Sequence, residues 1–353
     1  MSIKVAIIGV GNCACSLIQV VTEDKKNSLK IGVSHPLLYG YEIKDIDFVA
    51  AFDIDCRKVG LDLSQAIFAE PNCTTKYIDV PLLNKEVSAG PIYDGVRDYM
   101  TEIYHISEAS KNVDIKSVTE ELIKSKAEIV LCYLPVGSNE AVEAYAKAAL
   151  HAGCAFINCM PSQIATNKLW SQCFEQAGLP LLGDDIKSQI GSTAIHRALL
   201  TLLQRKGVKI DHSYQLNIGG NSDFMNMRFP AQGLSKKYTK EEALFHLIDS
   251  NVQLSVGPSD YVPHLQDKKV GFINIEGKGL LGMQFSLDVK IQVEDSPNSA
   301  GVVVNAIRLA KIALDIKDKN GYRKACAALF KNPVIKLDED EAIKALDSYG
   351  ISI

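Results

Sequence analysis

Short apolar strands alternate with amphipathic helices along the first half of this chain, and that alternation limits the fold more than any other feature. The strand-like runs are KVAIIGV (residues 4–10), DFVAAFDID (47–55), AEIVLCYLPV (127–136), CAFINCMP and LPLLG. Parallel strands need long crossover connections, and helices between the strands supply them. We therefore predict an α/β fold whose first part is a Rossmann-like, doubly wound parallel sheet.

The pattern changes after about residue 208, where long stretches alternate apolar and polar residues with few helical segments between them. HSYQLNIGGN, GFINIEG and FSLDVKIQVED are typical of strands with one apolar face. They predict a second α+β domain with a large, mostly antiparallel sheet. A chain of 353 residues suits about two domains. We expect the first over residues 1–200, completed by 300–353, and the second over 201–299.

Composition excludes several classes of protein. The net charge of −4 does not require a strongly basic surface, so nucleic acid is a poor candidate ligand. The first residues enter a strand pattern without a signal-peptide layout, and no run of about 18 apolar residues predicts a membrane span. The nine cysteines lack CxxC spacing, which is typical of reduced thiols in a cytoplasmic protein. A metal cluster of Cys13, Cys15, Cys154 and Cys159 is disfavoured because each lies in or beside an apolar strand or tight turn.

The turn GVGNCACS (residues 9–16) links the first strand to the first helix. Gly9 and Gly11 permit a tight turn and a close approach of the backbone to a pyrophosphate, and Ala14 is a small third residue. The start of the helix offers free N–H groups to an anion. We predict that this turn, including Asn12 and Cys13, binds a dinucleotide; a purely structural glycine-rich turn is the alternative.

An acidic residue at the end of the second strand is expected to bind the ribose of that dinucleotide. Asp53 in AAFDID fits this role and favours NAD over NADP. It lies beyond the usual distance of about 20 residues, which we attribute to a polar, irregular insertion at residues 23–46. Asp55 is the local competitor, but strand alternation favours Asp53.

Two later turns also follow strands and should lie at the same edge of the sheet. YLPVGS contributes Pro135, Gly137 and Ser138, with Ser138 predicted to cap the next helix and Gly153 to end it. GDDIKSQIGST (residues 183–193) carries more polar groups than capping requires. Hydroxyls and backbone N–H groups at a helix start favour an anion such as phosphate.

The second half carries further polar segments: GGNSDFMN, LSKKYTKEEA, QDKK, VEDSPNSAG and LFKNP. Each alone could be a solvated helix start, a turn or a strand end. Together with AIIGVGNCACS, FVAAFDID, YLPVGS and GDDIKSQ, they resemble the myo-inositol-1-phosphate synthases, and are most similar to the shorter archaeal and bacterial branch. The resemblance runs nearly from end to end of the chain. GDDIKSQIGST and NCMPS depart from the KSGQT and NGSP segments of the eukaryotic enzymes.

The resemblance implies an isomerase of inositol and phospholipid biosynthesis. Its substrate would be D-glucose 6-phosphate and its product 1D-myo-inositol 3-phosphate, formed by NAD-dependent oxidation at C5, enolisation, intramolecular aldol cyclisation and re-reduction. The catalytic residues it implies are Lys236, Lys240, Lys269, Lys331, Asp185, Asp223 and Asp295. The substrate-binding residues expected with them are Ser188, Gln189, Ser192 and Asn221. Asp185 and Ser296 are also expected to contact NAD.

Several lysines together suit this chemistry because an enolate and a developing alkoxide are both negative. Crowded lysines also lower one another's pKa, so that one can act as a base. We expect Lys331 to assist oxidation at C5, with Asp295 orienting it. Lys236 and Lys240 would stabilise the enolate and hold phosphate, and Lys269 would serve the C1 carbonyl.

The resemblance also implies a homotetramer, and in some members a divalent metal ion, Mg or Zn, that assists the aldol step. The sequence shows no clustered His or Cys ligands for such an ion. Two other functions remain open at this point. One is an NAD-dependent dehydrogenase of the homoserine-dehydrogenase-like type, which would accumulate NADH, and the other is a non-catalytic NAD-binding protein.

Overall fold

The computed structural model describes residues 2–29, 31–96, 100–101, 103–227 and 252–350. The chain forms two compact units, Met1–Lys187 with Ser299–Ile353, and Ser188–Asn298. The second unit begins at Ser188, whereas the sequence predicted the start of the second domain at residue 201. The reason is that the helix Ser192–Arg205 packs Leu200 into the apolar cluster of the second unit, beside Ile273.

The described strands of the first unit form one parallel sheet. They are β1 (Ile3–Ile8), β2 (Ile46–Asp53), β3 (Val87–Ala89), β4 (Ile129–Cys132), β5 (Ala155–Asn158) and β6 (Leu181–Leu182). Their order is β3-β2-β1-β4-β5-β6, and every pairing is parallel. This order belongs to dinucleotide-binding sheets and confirms the predicted doubly wound fold.

Helices cover both faces of this sheet. Their bounds are Asn12–Asn27, Leu63–Ala66, Glu108–Asn112, Ile115–Lys124, Asn139–Ala152, Lys168–Ala177, Tyr322–Leu329 and Glu339–Asp347, together with Asp295–Asp315, whose first residues belong to the second unit. On β1, Val5 and Ile7 join one apolar cluster while Ala6 and Ile8 join another. Because both faces are buried, the strand is apolar throughout rather than alternating.

The segment expected to be an irregular insertion, residues 23–46, is partly helical. The first helix continues to Asn27, which corrects that prediction at its start. Further along, the fully buried Arg308 donates hydrogen bonds to the carbonyl oxygens of His35, Pro36 and Tyr41. These bonds hold residues 35–41 against the helix Asp295–Asp315.

The second unit contains a mixed sheet over the described part of its chain. Its strands are β7 (Lys209–Gly219), β8 (Gln253–Tyr261), β9 (Lys268–Lys278) and β10 (Gln284–Glu294), in the order β10-β9-β7-β8. The β9 pairings with β7 and β10 are antiparallel, and β7 pairs with β8 in parallel. The predicted mostly antiparallel sheet is therefore confirmed. A short helix, Ser222–Asn226, follows β7.

The two faces of this sheet differ. The helix Ser192–Arg205 covers one face through an apolar cluster that includes Leu200, Ile273 and Ile275. The other face carries Tyr214, Leu216 and Phe272, which are all substantially exposed. Within the described ranges, no helix of either unit is both long enough and apolar enough to cross a membrane.

Candidate active site

The turn after β1 has the geometry of a nucleotide-binding turn. Gly9 has a φ of +90°, and a Cβ there would lie 2.8 Å from the Tyr133 carbonyl oxygen, so only glycine fits. A Cβ added at Gly11 would meet no described atom within 4 Å. No described side chain caps the helix that begins at Asn12. The turn thus presents an open backbone and uncapped N–H groups, as a pyrophosphate requires.

Asp53 is tied to this turn. Its Oδ2 accepts a hydrogen bond from the Val10 N–H at 2.8 Å, and its Oδ1 accepts bonds from the N–H groups of Ile54 and Asp55. Asp55 itself is fully buried and forms two hydrogen bonds with the guanidinium of Arg57. Asp55 therefore has a structural partner, while Asp53 borders the turn.

The side chain of Asn12 holds a neighbouring loop. Its Oδ1 accepts hydrogen bonds from the Cys73 N–H at 2.8 Å and from the Thr74 hydroxyl at 3.1 Å. Cys13 Sγ accepts a hydrogen bond from the Ser299 hydroxyl at 3.8 Å, and Ala14 is fully buried. These contacts fix the first turn of this helix.

The segment after β4 differs in one respect from the sequence prediction. Ser138 stands at the N-cap position, but its hydroxyl donates to the Pro135 carbonyl oxygen at 2.7 Å and does not cap the helix. Asp94 caps it instead, accepting bonds from the N–H groups of Glu140 and Ala141. The helix ends at Gly153 as predicted, and Gly137 has a φ of +95°.

Tyr133 brings a buried hydroxyl to the same segment. Its phenolic oxygen has no hydrogen-bond partner among the residues that the structure describes. Burial raises the pKa of Tyr133 well above its ordinary value, so the group stays protonated. A buried O–H without a described partner calls for an explanation, and its electrostatic interaction with Cys13 places it near the turn after β1.

Asp184 organises the turn that follows β6. Its fully buried carboxylate accepts five hydrogen bonds, from the N–H groups of residues 164–166, the Thr166 hydroxyl and the Asn158 amide. Burial raises the pKa of Asp184, and these donated bonds oppose that rise. Asp184 therefore has a structural role that sequence reasoning did not assign.

Asp185 and Lys331 form an ion pair in the first unit. The Lys331 Nζ lies 2.9 Å from the Asp185 Oδ1. A short antiparallel pairing holds the two segments, because Asp184 and Asn332 exchange backbone hydrogen bonds and the Lys331 N–H donates to the Asp185 carbonyl. Asp185 is buried with a φ of +61°, while 41% of the Lys331 side chain is exposed. The lysine thus remains accessible on a fixed carboxylate.

Lys269 and Asp295 form a second pair, in the second unit. The Lys269 Nζ lies 3.2 Å from the Asp295 Oδ1 and 5.9 Å from the centre of the Phe224 ring. The structure thus pairs Lys331 with Asp185, and Asp295 with Lys269. The expected role of Asp295 in orienting Lys331 stays a prediction, because Asp295 lies in the second unit and Lys331 in the first.

Asp267 is a functional candidate that sequence reasoning missed. Its side chain is 3% exposed and accepts hydrogen bonds from the Asn221 amide at 3.1 Å and the Ser296 hydroxyl at 2.8 Å. Burial raises the pKa of Asp267 to about 6, and these hydrogen bonds oppose the rise while the carboxylate of Asp295 adds to it. Asp267 therefore joins the predicted Asn221, Ser296 and Asp295 into one cluster.

The start of the helix Ser192–Arg205 has a polar surrounding. No described side chain caps its first turn, and Gly191 occupies the N-cap position. Asn217 on β7 is 1% exposed, and neither polar atom of its side chain has a partner among the described residues. A Cβ on Gly271 would lie 2.4 Å from the Ser192 Oγ and 3.4 Å from the Asn217 Oδ1. Asn217 was also missed, although a polar residue on the buried face of an alternating strand is a usable signal.

The remaining predicted residues divide into two groups. Asp223 lies in the first turn of the short helix after Asn221, and Ser188 and Gln189 precede the helix Ser192–Arg205. Lys236 and Lys240 lie outside the described residues. In the described ranges no group of three or more His, Cys, Asp or Glu side chains could hold a metal ion.

Comparison with known proteins gives consistent results. The family model described as myo-inositol-1-phosphate synthase matches residues 191–296. An inositol-3-phosphate synthase of Mycolicibacterium smegmatis is 42% identical over 98% of this chain and 97% of its own length. One of Corynebacterium glutamicum is also 42% identical, over 99% of this chain and 98% of its own length. Among solved structures, the crystal structure of Ari2 aligns with this chain at a TM-score of 0.82 and 35% sequence identity. The alignment covers 99% of this chain and 98% of the Ari2 chain.

Proposed function

Because this chain belongs to the myo-inositol-1-phosphate synthase family, we propose that it converts D-glucose 6-phosphate to 1D-myo-inositol 3-phosphate, as an isomerase of inositol biosynthesis. The likeness to enzymes named inositol-3-phosphate synthase over nearly the whole chain carries this proposal. Two lysines that each pair with an aspartate support it. Such pairs suit a reaction in which oxygen atoms of the substrate become negative.

NAD fits the turn after β1. The open face of Gly11, the uncapped helix start and the unsatisfied hydroxyl of Tyr133 are features that a bound dinucleotide would satisfy. Asp53 would hold the ribose, and Pro135, Gly137 and Ser138 would line the same edge of the sheet. Bound NAD⁺ supplies the oxidation at C5 and the later reduction. Asp185 and Ser296 are also proposed to contact the cofactor.

Lys331 is proposed to act at C5. Its Nζ would exchange a proton with the C5 oxygen as that oxygen changes between hydroxyl and ketone. Asp185 would set the direction of the Nζ, because backbone hydrogen bonds fix the Asp185 segment to the Lys331 segment. This proposal replaces Asp295 by Asp185 as the residue that orients Lys331.

Lys269 is proposed to act at C1. Its ammonium, held by Asp295 and the Phe224 ring, would donate to the carbonyl oxygen while the new carbon–carbon bond forms. Lys236 and Lys240 are proposed to stabilise the enolate and bind phosphate, and Asp223 to assist them.

The phosphate of the substrate is proposed to bind at the start of the helix Ser192–Arg205. The uncapped first turn favours an anion there. Ser188, Gln189 and Ser192 would contribute further donors. Asn217 lies on strand β7 and Asn221 two residues after its end, and their amides would orient the sugar.

A homotetramer formed through the second sheet is part of the proposal. The exposed Tyr214, Leu216 and Phe272 on the uncovered face of that sheet support it. We also propose a cytoplasmic enzyme, and a divalent ion that would bind with the substrate phosphate.

The test is an incubation of purified protein with glucose 6-phosphate and NAD⁺, with and without Mg²⁺ or Zn²⁺. We expect inositol phosphate to form without net NADH, because oxidation and reduction occur in one turnover. NADH without inositol phosphate would instead identify a dehydrogenase. Binding of NAD⁺ without turnover would identify a non-catalytic protein.

A matched pair of variants tests the role of Lys269. Lys269→Met should lower kcat by about 10²–10³-fold, since one oxyanion donor is lost. Lys278→Met removes a lysine from the other end of β9, where it pairs with Asp211, and should leave kcat unchanged. Equal activity of the two variants would remove Lys269 from the mechanism.

A further inference from the structure

Lys58 is a buried lysine that the proposed chemistry does not use. It lies in the first unit, between β2 and the helix Leu63–Ala66, and its side chain is 2% exposed. An ammonium group loses its hydration when it is buried, so its surroundings must compensate. Removing this lysine would leave its buried acceptors without a donor, which is costly, so the lysine does more than fill space.

The partners of Lys58 all belong to the turn after β1 or border it. Its Nζ donates hydrogen bonds to the Val10 carbonyl oxygen and the Asn72 Oδ1, both at 2.9 Å, and lies 3.9 Å from the Asp53 Oδ2. The Asn72 amide also donates to the Val10 carbonyl oxygen, at 3.0 Å. The Val10 N–H donates to the same Asp53 oxygen. Both backbone polar groups of Val10 are therefore held by this cluster.

This arrangement matters because Val10 lies between Gly9 and Gly11. Glycine permits the backbone conformation of this turn, but it also permits many other conformations. Outside this cluster, the Gly9 N–H donates a hydrogen bond to the Phe52 carbonyl oxygen, which also holds the turn. The ammonium of Lys58 thus joins the centre of the turn to the carboxylate that is proposed to bind ribose.

We propose that Lys58 is a positioning residue of the cofactor site. It fixes the Val10 peptide and the Asp53 carboxylate in the arrangement that NAD⁺ meets, and it does not touch the reacting atoms. The assignment of the ligand as NAD⁺ rests on the proposed function, whereas the ordering of the turn does not.

The first test compares Lys58→Met, which keeps an unbranched side chain of nearly the same length and removes its charge, with Lys311→Met. Lys311 is a mostly buried lysine of the first unit, and it pairs with Glu128 and Asp315. Lys58→Met should raise the Kd and the KM for NAD⁺ about tenfold or more, because a charge-assisted hydrogen bond to the turn is lost. Its kcat at saturating NAD⁺ should stay within about twofold of the wild-type value. Lys311→Met should leave the Kd for NAD⁺ unchanged.

The second test measures amide hydrogen exchange of the ligand-free proteins. Lys58→Met should speed exchange over residues 9–13, and Lys311→Met should not. An unchanged exchange rate and an unchanged Kd in a folded Lys58→Met protein would overturn the proposal. If the wild-type protein fails to bind NAD⁺, the proposed cofactor is wrong. The exchange measurement then decides the role of Lys58 alone, with faster exchange supporting it and unchanged exchange overturning it.

Discussion

The buried carboxyl group of Asp267 should make the stability of this protein depend on pH in an unusual direction. An ordinary aspartate has a pKa of 3.8, whereas burial raises the pKa of Asp267 to about 6. Between these two values the folded protein binds a proton that the unfolded chain has already lost. The stabilising contribution of this proton is complete below pH 3.8 and disappears as the pH rises through about 6.

The magnitude follows from the difference between the two pKa values. A shift of about two units, at 1.36 kcal/mol per unit, corresponds to about 3 kcal/mol. Because the side chain is almost fully buried, solvent does not screen this effect. Asp267→Asn cannot ionise. The free energy of unfolding of the wild type, relative to this variant, should therefore fall by about 2.5 kcal/mol between pH 4 and pH 7, because the unfolded chain is still partly protonated at pH 4.

Urea unfolding of both proteins across that range would measure the difference. Comparing the two proteins at each pH cancels the titration of every group that does not interact with Asp267. Parallel curves would show that Asp267 ionises normally in the folded protein, and that its burial does not control its charge. A difference that grows in the opposite direction would show that the hydrogen bonds from Asn221 and Ser296 outweigh burial.

Three further predictions concern other positions. Burial lowers the pKa of His196 to about 4, so its neutral form stabilises the fold above pH 6.5, and this contribution of about 3 kcal/mol should be lost as the pH falls toward 4. In urea unfolding, His196→Gln should abolish the loss of stability that comes from protonating His196. An unchanged dependence of stability on acid pH in this variant would contradict the prediction. Gly9→Ala should destabilise the fold by at least about 2 kcal/mol in the same assay, because its φ is positive and its Cβ would meet the Tyr133 carbonyl. Gly11→Ala should preserve the melting temperature and weaken NAD⁺ binding, since its Cβ would enter the open space beside the turn; a lower melting temperature would refute this interpretation.

The sequence predicted the two sheets well because their main strands have strong periodicity. The prediction of the first sheet lacked only β3, which has three residues, too few to show a pattern. In the second sheet β8 was missed because QLSVGPSDY contains glycine and proline, which normally argue against a strand. The first helix continued into a polar segment, since solvent-facing turns of a helix need no apolar residues.

Side-chain partners were harder to predict than strands. Asp185 and Lys331 lie 146 residues apart, and only the backbone pairing of their segments brings them together. Asp267 stands beside two lysines in QDKK, so the sequence suggests an exposed turn. Burial of its carboxylate depends on Asn221 and Ser296, which come from distant elements. Resemblance to a family can identify such residues, but it does not give their partners.

The pairing of the Asp185 and Lys331 segments has a consequence for biosynthesis of the protein. A ribosome makes residues 1–187 first, then the whole of Ser188–Asn298, and only near the end the segment that carries Lys331. The second unit can therefore fold during translation, whereas the first unit waits for the C-terminal segment. Chains that terminate early would lack both the lysine and the backbone partner of the Asp185 turn. Incomplete translation products should thus carry an unfinished turn that proteases can recognise.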